Sequence, residues 1–144
     1  MLKEGDLVPD IQLINFSTFK DKKLILYFYP KDNTPGCTAE ACNLRDNYQQ
    51  LKNMGFEVIG VSPDSEKSHQ NFTEKYNLPF ALIPDTNKEL LNAFGSWGEK
   101  KMYGKSYEGV LRSTFVIENG KITKVFSKVE TKTHTEQILK SLEK

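Results

Sequence analysis

The sequence contains few cysteines and histidines, and its charge is almost balanced. Two cysteines, Cys37 and Cys42, and two histidines, His69 and His134, are present among 144 residues. This spacing lacks the close ligand pair that is typical of a structural zinc site, so we expect no metal and no bound cofactor. The net charge is +1, from 20 basic and 19 acidic residues. Such a balance does not favour nucleic acid or an anionic membrane surface as a partner.

Long apolar segments are also missing. No stretch approaches the roughly 18 apolar residues of a membrane span, and the first residues show no signal-peptide pattern. We therefore predict a cytoplasmic protein, in a compartment where disulfides are usually transient and catalytic. The length fits one domain, residues 1–144. No spare apolar stripe is evident, which favours a monomer.

The most informative stretch is residues 27–42, YFYPKDNTPGCTAEAC. It is preceded by apolar residues, and the continuous run 24–29 predicts a central parallel strand that is buried on both faces. Pro30 cannot donate to a sheet ladder, so the strand should end there. Thr34 is a favourable helix N-cap, and Pro35 suits the first helical position. Cys37 is therefore expected at the third position of a helix.

Cys37 has two interpretations. A lone cysteine on a core-facing helix stripe is most often a small buried hydrophobe. In the first helical turn, however, a thiol lies among unpaired N–H donors and near the positive end of the helix dipole, which both favour the thiolate. The polar turn before Cys37 would be a poor way to fill a core. We therefore interpret Cys37 as a nucleophile at the start of a helix that ends at Gly55.

Pro30, Thr34 and Cys37 resemble the proline, threonine and cysteine signature of peroxiredoxins. The run from Cys42 to Asp46 is similar to the bacterioferritin-comigratory-protein, or Q-type, branch, and the likeness covers nearly the whole chain. The resemblance implies a thiol-dependent peroxidase that reduces hydrogen peroxide and organic hydroperoxides. It also implies that Cys37 becomes a sulfenic acid, which Cys42 resolves as an intramolecular disulfide. Thioredoxin, or a thioredoxin-like protein, is the implied reductant.

The peroxide site should contain a fixed cation, and the chain has two arginines. Arg45 lies eight residues after Cys37, about 12 Å along a helix axis, which is too far for direct contact. Arg112 remains, and it also matches the peroxide-site arginine of the family. A simple charge at a strand end is the alternative. Backbone N–H groups of Gly36 and Cys37, with the Thr34 hydroxyl, are further candidates for binding the peroxide oxygens.

The remaining pattern predicts an α/β protein of the thioredoxin-like class, with a central mixed sheet flanked by helices. Before the Cys37 helix we expect a short edge strand or hairpin near 11–19. After it we expect strand 56–61, a helix capped by Ser65, strand 80–83, and a helix with the capping box Thr86 and Glu89. A loop over 96–109 anchored by Trp97 should follow, then strands 112–117 and 122–126 around an Asn119-Gly120 turn, and a terminal helix with the capping box Thr133 and Glu136. We expect His69 to be a packing residue and His134 to be solvated.

Two other functions use a similar fold. A thioredoxin-type disulfide exchanger would carry two cysteines separated by two residues, and the sequence contains no such motif. A non-catalytic binding module with this fold is the second alternative. It would consume no peroxide in the presence of a thiol reductant.

Overall fold

The computed structural model describes residues 1–143, without the side chain of Met102. Five helices occur in the described part of the chain: α1 (Pro35–Asp46), α2 (Tyr48–Asn53), α3 (Glu66–Tyr76), α4 (Glu89–Phe94) and α5 (His134–Ser141). Short 3₁₀ helices cover Phe16–Phe19 and Thr131–Thr133. The strands are β1 (Lys23–Phe28), β2 (Phe56–Ser62), β3 (Ala81–Pro84), β4 (Trp97–Met102), β5 (Lys105–Val110), β6 (Ser113–Glu118) and β7 (Lys121–Phe126).

The central sheet is mixed, as predicted, with the strand order β3-β2-β1-β6-β7. β1 pairs in parallel with β2 and antiparallel with β6. Its side chains alternate between two cores, because successive residues of a strand point to opposite faces. Leu24, Leu26 and Phe28 pack on one side. Ile25 and Tyr27 pack on the other, together with Cys37 from α1.

The helix after β1 begins as predicted, with Thr34 at the N-cap position and Pro35 in the first turn. The prediction of one continuous helix to Gly55 was wrong, because the chain breaks at Asn47 (φ −108°, ψ 8°). The Asn47 side-chain amide donates to the Asn43 carbonyl at 2.8 Å. Asparagine side chains compete in this way with the regular helical hydrogen bonds.

Residues 96–109 are not a loop, which corrects the prediction. β4 and β5 form a separate antiparallel pair, joined at Tyr103 (φ 53°) and Gly104 (φ 77°). Both φ values are positive, as a tight hairpin turn of type I′ requires. Residues 105–108, which form most of β5, are exposed, so beyond its base this hairpin has no buried face to produce an apolar alternation. Trp97 at its base packs against the core, as expected.

The N-terminal region also differs from the prediction. Among the described residues before β1, the only strand-like contact is an isolated bridge between Leu7 and Lys121. Ile11, Phe16 and Phe19 pack against the core without joining the sheet. Their apolar spacing therefore reflects packing of an irregular segment and a 3₁₀ turn.

Of the four predicted cap residues, Thr34, Ser65, Thr86 and Thr133, only Ser65 caps its helix through its side chain. The Ser65 hydroxyl caps α3, accepting from the Ser68 N–H at 3.1 Å. The start of α4 is capped by the Asp85 carboxylate, which accepts from the N–H of Leu91 at 2.8 Å. Thr133 makes no side-chain cap to α5. Asn43, on α1, performs that role from a neighbouring helix by accepting from the Thr135 N–H at 2.7 Å.

Candidate active site

The loop between β1 and α1 fixes the approach to Cys37. Tyr29 still donates its N–H to the Val61 carbonyl at 3.1 Å, and Pro30 then ends the pairing. The Thr34 hydroxyl donates to the Lys31 carbonyl at 2.8 Å. Thr34 therefore holds the N-cap position without capping the helix through its side chain. Its oxygen lone pairs can still accept a hydrogen bond.

Cys37 lies in the first turn of α1 and is only 1% exposed. An Arg112 guanidinium nitrogen, Nη2, donates to its sulfur at 3.1 Å. The structure thus brings together the two residues that the sequence analysis had paired. Arg45 lies elsewhere, as expected, since its guanidinium binds the Tyr76 carbonyl at 2.7 Å.

Glu40 is a site residue that the sequence analysis missed. Its side chain is fully buried, and its Oε1 accepts from Arg112 Nη1 at 2.7 Å. Burial raises the pKa of Glu40 to about 7, although the neighbouring Arg112 charge and hydrogen bond act in the opposite direction. Glu40 follows Cys37 by three residues, so the two share one face of α1. That spacing was the available signal.

His134 is buried, which corrects the prediction of a solvated side chain. Gln137 Oε1 can only accept, so His134 Nδ1 donates to it at 2.9 Å, and Nε2 accepts from the Thr114 hydroxyl at 2.8 Å. Burial lowers the pKa of His134 to about 4. Although Nε2 lies 3.7 Å from Glu40 Oε2, the neutral imidazole forms no ion pair with it at neutral pH.

Asp32 anchors the loop that precedes Cys37. Its carboxylate accepts from the Tyr29 hydroxyl at 2.6 Å, the Ser68 hydroxyl at 2.8 Å and His69 Nδ1 at 2.7 Å. Although burial favours the neutral acid, these hydrogen bonds hold the pKa of Asp32 below its usual value. His69 is buried, as expected of a packing residue.

Asp32, His69 and Asp64 place one potential metal-binding atom each within 4.8 Å of one another. Asp64 Oδ2 already accepts from the Asp32 N–H at 2.8 Å and the Ser62 hydroxyl at 2.6 Å. The described side chains therefore satisfy one another, and the group fits a structural anchor better than a metal site.

Cys42 lies on the same helix as Cys37, and both thiols are free. Cys37 is buried and Cys42 is partly exposed. Residues five apart in a helix are rotated by about 140° and displaced by about 7.5 Å along the axis. A disulfide needs Cα atoms within about 7 Å and converging Cβ atoms. The two sulfurs therefore cannot bond while α1 is intact.

The buried cysteine that binds Arg112 lies in a chain that matches a known protein family over most of its length. Residues 4–125 match the AhpC/TSA family. The chain belongs to this family and is a peroxiredoxin. Peroxiredoxins are thiol peroxidases, so the enzyme class expected from Pro30, Thr34 and Cys37 is confirmed.

In the described residues, no helix has the length and apolar character needed to cross a membrane.

Individual relatives agree with this classification. The chain is 44% identical to peroxiredoxin Bcp of Bacillus subtilis, with 96% of this chain and 93% of that protein aligned. It is 40% identical to peroxiredoxin Bcp of Escherichia coli, over 96% and 94% of the two chains. The likeness to the Q-type branch is thereby confirmed.

Solved structures show the same fold. A variant of PrxQ from Xylella fastidiosa superposes with a TM-score of 0.90 and 33% identity, over 99% of this chain and 96% of that chain. Peroxiredoxin Q of Xanthomonas campestris gives a TM-score of 0.83 at 37% identity, over 90% and 82% of the chains. These similarities confirm that this peroxiredoxin has the predicted thioredoxin-like fold.

Proposed function

We propose that Cys37 is the peroxidatic residue of this peroxiredoxin. Its thiolate attacks one oxygen of a hydroperoxide, and the O–O bond breaks as the S–O bond forms. The sulfur becomes a sulfenic acid, and the other oxygen leaves with a proton as water or an alcohol. The observation that carries the proposal is the 3.1 Å contact between Cys37 Sγ and Arg112 Nη2, because this cation stabilises the anionic sulfur.

Arg112 has a second task at the leaving oxygen, where negative charge develops as the O–O bond breaks. Its guanidinium is planar and permanently charged, so it can bind sulfur and oxygen together. Glu40 holds Nη1 at 2.7 Å, which leaves Nη2 directed at the site. The Thr34 hydroxyl and the N–H groups of Gly36 and Cys37 supply further polar contacts to the peroxide.

Pro30 acts on the geometry of this site and takes no part in the chemistry. Its ring ends the β1 ladder and stiffens the chain that leads to Thr34. The Asp32 anchor fixes the same loop against α3. Together they place the start of α1 where Arg112 can reach it.

Cys42 resolves the sulfenic acid within one chain. Its thiol attacks the Cys37 sulfur, the disulfide forms, and the sulfenic oxygen leaves as water. Because the intact helix separates the cysteines, the first turns of α1 must unwind for this step. A dithiol then reduces the disulfide and restores both thiols.

The substrates that we assign are hydrogen peroxide and alkyl hydroperoxides. A structural study of a bacterioferritin comigratory protein from Xanthomonas campestris, 36% identical to this chain over 90% of its length, describes alkyl peroxide reduction by that protein. We assign a thioredoxin-like protein as the reductant. We also propose that the enzyme is a monomer of one domain and that it acts in the cytoplasm.

Peroxide consumption in the presence of dithiothreitol or thioredoxin tests this function. The unaltered protein should consume peroxide catalytically, and Cys37→Ser should consume none above the background of the reductant. A disulfide exchanger or a binding module would show no catalytic consumption. Cys37→Ser with undiminished turnover would refute the assignment of the peroxidatic residue.

A further inference from the structure

Asn43, next to Cys42, joins α1 to the C-terminal helix. Its Oδ1 accepts from the Thr135 N–H at 2.7 Å, and its Nδ2 donates to the Lys132 carbonyl at 3.0 Å. Thr135 is the second residue of α5 and is 1% exposed. The Asn43 amide therefore satisfies a helix N-terminus that Thr133 leaves uncapped.

The backbone carbonyl of Asn43 accepts two hydrogen bonds from the end of α1. It accepts from the Asn47 N–H at 3.3 Å and from the Asn47 side-chain amide at 2.8 Å. Thus the side chain and the carbonyl of Asn43 both bind residues that follow Cys42. Unwinding of residues 34–42 requires none of these four hydrogen bonds to break.

We propose that Asn43 is a positioning residue that stops the unwinding of α1 and holds Cys42 in place for Cys37. The proposal rests on the resolution step described above. Cys37 moves to Cys42, while Asn43 keeps its contacts with Thr135 and Lys132. Unwinding that stops at Asn43 leaves these hydrogen bonds intact, whereas unwinding that goes further would break them.

The local sequence supports this end point, because asparagine is among the strongest N-cap residues. Once residues 34–42 leave the helix, Asn43 becomes the N-cap of the single turn that remains before the break at Asn47, and Asp46 becomes its third and last residue. Oδ1 has two lone pairs. One keeps the Thr135 N–H, and the other can accept the Asp46 N–H, which has lost its partner at Cys42. Asn43 therefore stabilises the oxidised form specifically.

Amide hydrogen exchange at Thr135 tests the stop directly. The protein is oxidised with one equivalent of peroxide, and mass spectrometry establishes the Cys37–Cys42 bridge. We expect the Thr135 amide to exchange within about twofold of its rate in the reduced form, because its acceptor stays in place. A rise of about tenfold or more in the bridged protein would overturn the proposal while leaving the resolution mechanism intact. Failure to form any bridge would overturn both.

The thiol–disulfide equilibrium with dithiothreitol tests the N-cap role. Asn43→Ala loses the α5 cap in both redox forms, so that loss cancels, and it loses the new N-cap in the oxidised form alone. We expect the equilibrium to shift toward the reduced protein by on the order of fivefold, the factor that a typical N-cap contributes. Asn43→Asp keeps the acceptor, and the donation to Lys132 and Glu136 that it loses is lost in both redox forms and cancels. It should therefore restore the equilibrium of the unaltered protein.

Asn92→Ala is the matched control. Asn92 lies on α4 and donates its side-chain amide to the Lys88 carbonyl at 2.9 Å, away from both cysteines. Its equilibrium should equal that of the unaltered protein. An unchanged equilibrium in Asn43→Ala, or an equal shift in Asn43→Asp, would contradict the proposal.

Discussion

Arg112 and Cys37 are 75 residues apart in the chain, yet a guanidinium nitrogen lies 3.1 Å from the sulfur. The sheet register explains this proximity. β6 pairs with β1 so that Ser113 is opposite Phe28, at the end of β1 that leads toward Cys37. Arg112 precedes Ser113 and therefore stands beside the start of α1.

Replacement of this arginine tests its role in peroxide attack. Arg112→Lys should slow oxidation of Cys37 by on the order of 10- to 100-fold, because an ammonium cannot bind sulfur, oxygen and Glu40 as a planar fork does. Stopped-flow measurement of the rate constant for peroxide provides the test. Arg45→Lys is the matched control, since Arg45 binds Asp46 and the Tyr76 carbonyl. Equal rate constants in the two variants would remove any special role for Arg112.

Glu40 should make the free energy of unfolding depend on pH. Its pKa rises from 4.5 in the unfolded chain to about 7 in the folded one. A raised carboxyl pKa stabilises the fold fully below 4.5, and that contribution is lost as pH rises to about 7. His134 acts in the opposite sense: its pKa falls from 6.5 to about 4, so its contribution is lost as pH falls through that range.

Glu40→Gln removes the first of these effects and keeps a neutral acceptor for Arg112. The variant should gain stability relative to the unaltered protein by about 3 kcal/mol as pH rises from 4.5 to above 7. Urea unfolding of the reduced proteins at several pH values measures this difference. A constant difference across the range would mean that Glu40 titrates normally in the fold.

The position of Cys37 was predictable because the residues that determine it are its neighbours in the sequence. A threonine and a proline after an apolar run place Cys37 in the first helical turn, whatever the rest of the chain does. Arg112 could be selected because the other arginine lies on the same helix as Cys37, too far along its axis.

Glu40 and His134 could not be placed from sequence in the same way. A glutamate on a helix face is ordinarily solvated, and its burial here depends on Arg112, which precedes the distant strand β6. The burial of His134 likewise depends on Thr114 in β6. The β4–β5 hairpin was missed for a different reason, since its exposed strands show no apolar alternation.

The resolution step predicts a large local change in α1. One equivalent of peroxide should give a monomer with an internal Cys37–Cys42 bridge. Backbone amides from Gly36 to about Arg45 should then exchange much faster than in the reduced protein, because the amides from Thr38 onward lose their helical acceptors and the turn that orders Gly36 and Cys37 is lost. Mass spectrometry of peptides after timed exchange measures both results. Disulfide-linked dimers alone, or unchanged exchange in a verified internal bridge, would refute the mechanism.

Single-turnover oxidation of the two cysteine variants tests the division of labour between Cys37 and Cys42 most directly. The reduced variants receive one equivalent of peroxide without reductant, and the peroxide that remains and the sulfenic acid that forms are measured. Cys42→Ser should consume the peroxide rapidly and accumulate a sulfenic acid on Cys37, whereas Cys37→Ser should leave the peroxide unconsumed. Equal first-turnover consumption by both variants would contradict the account.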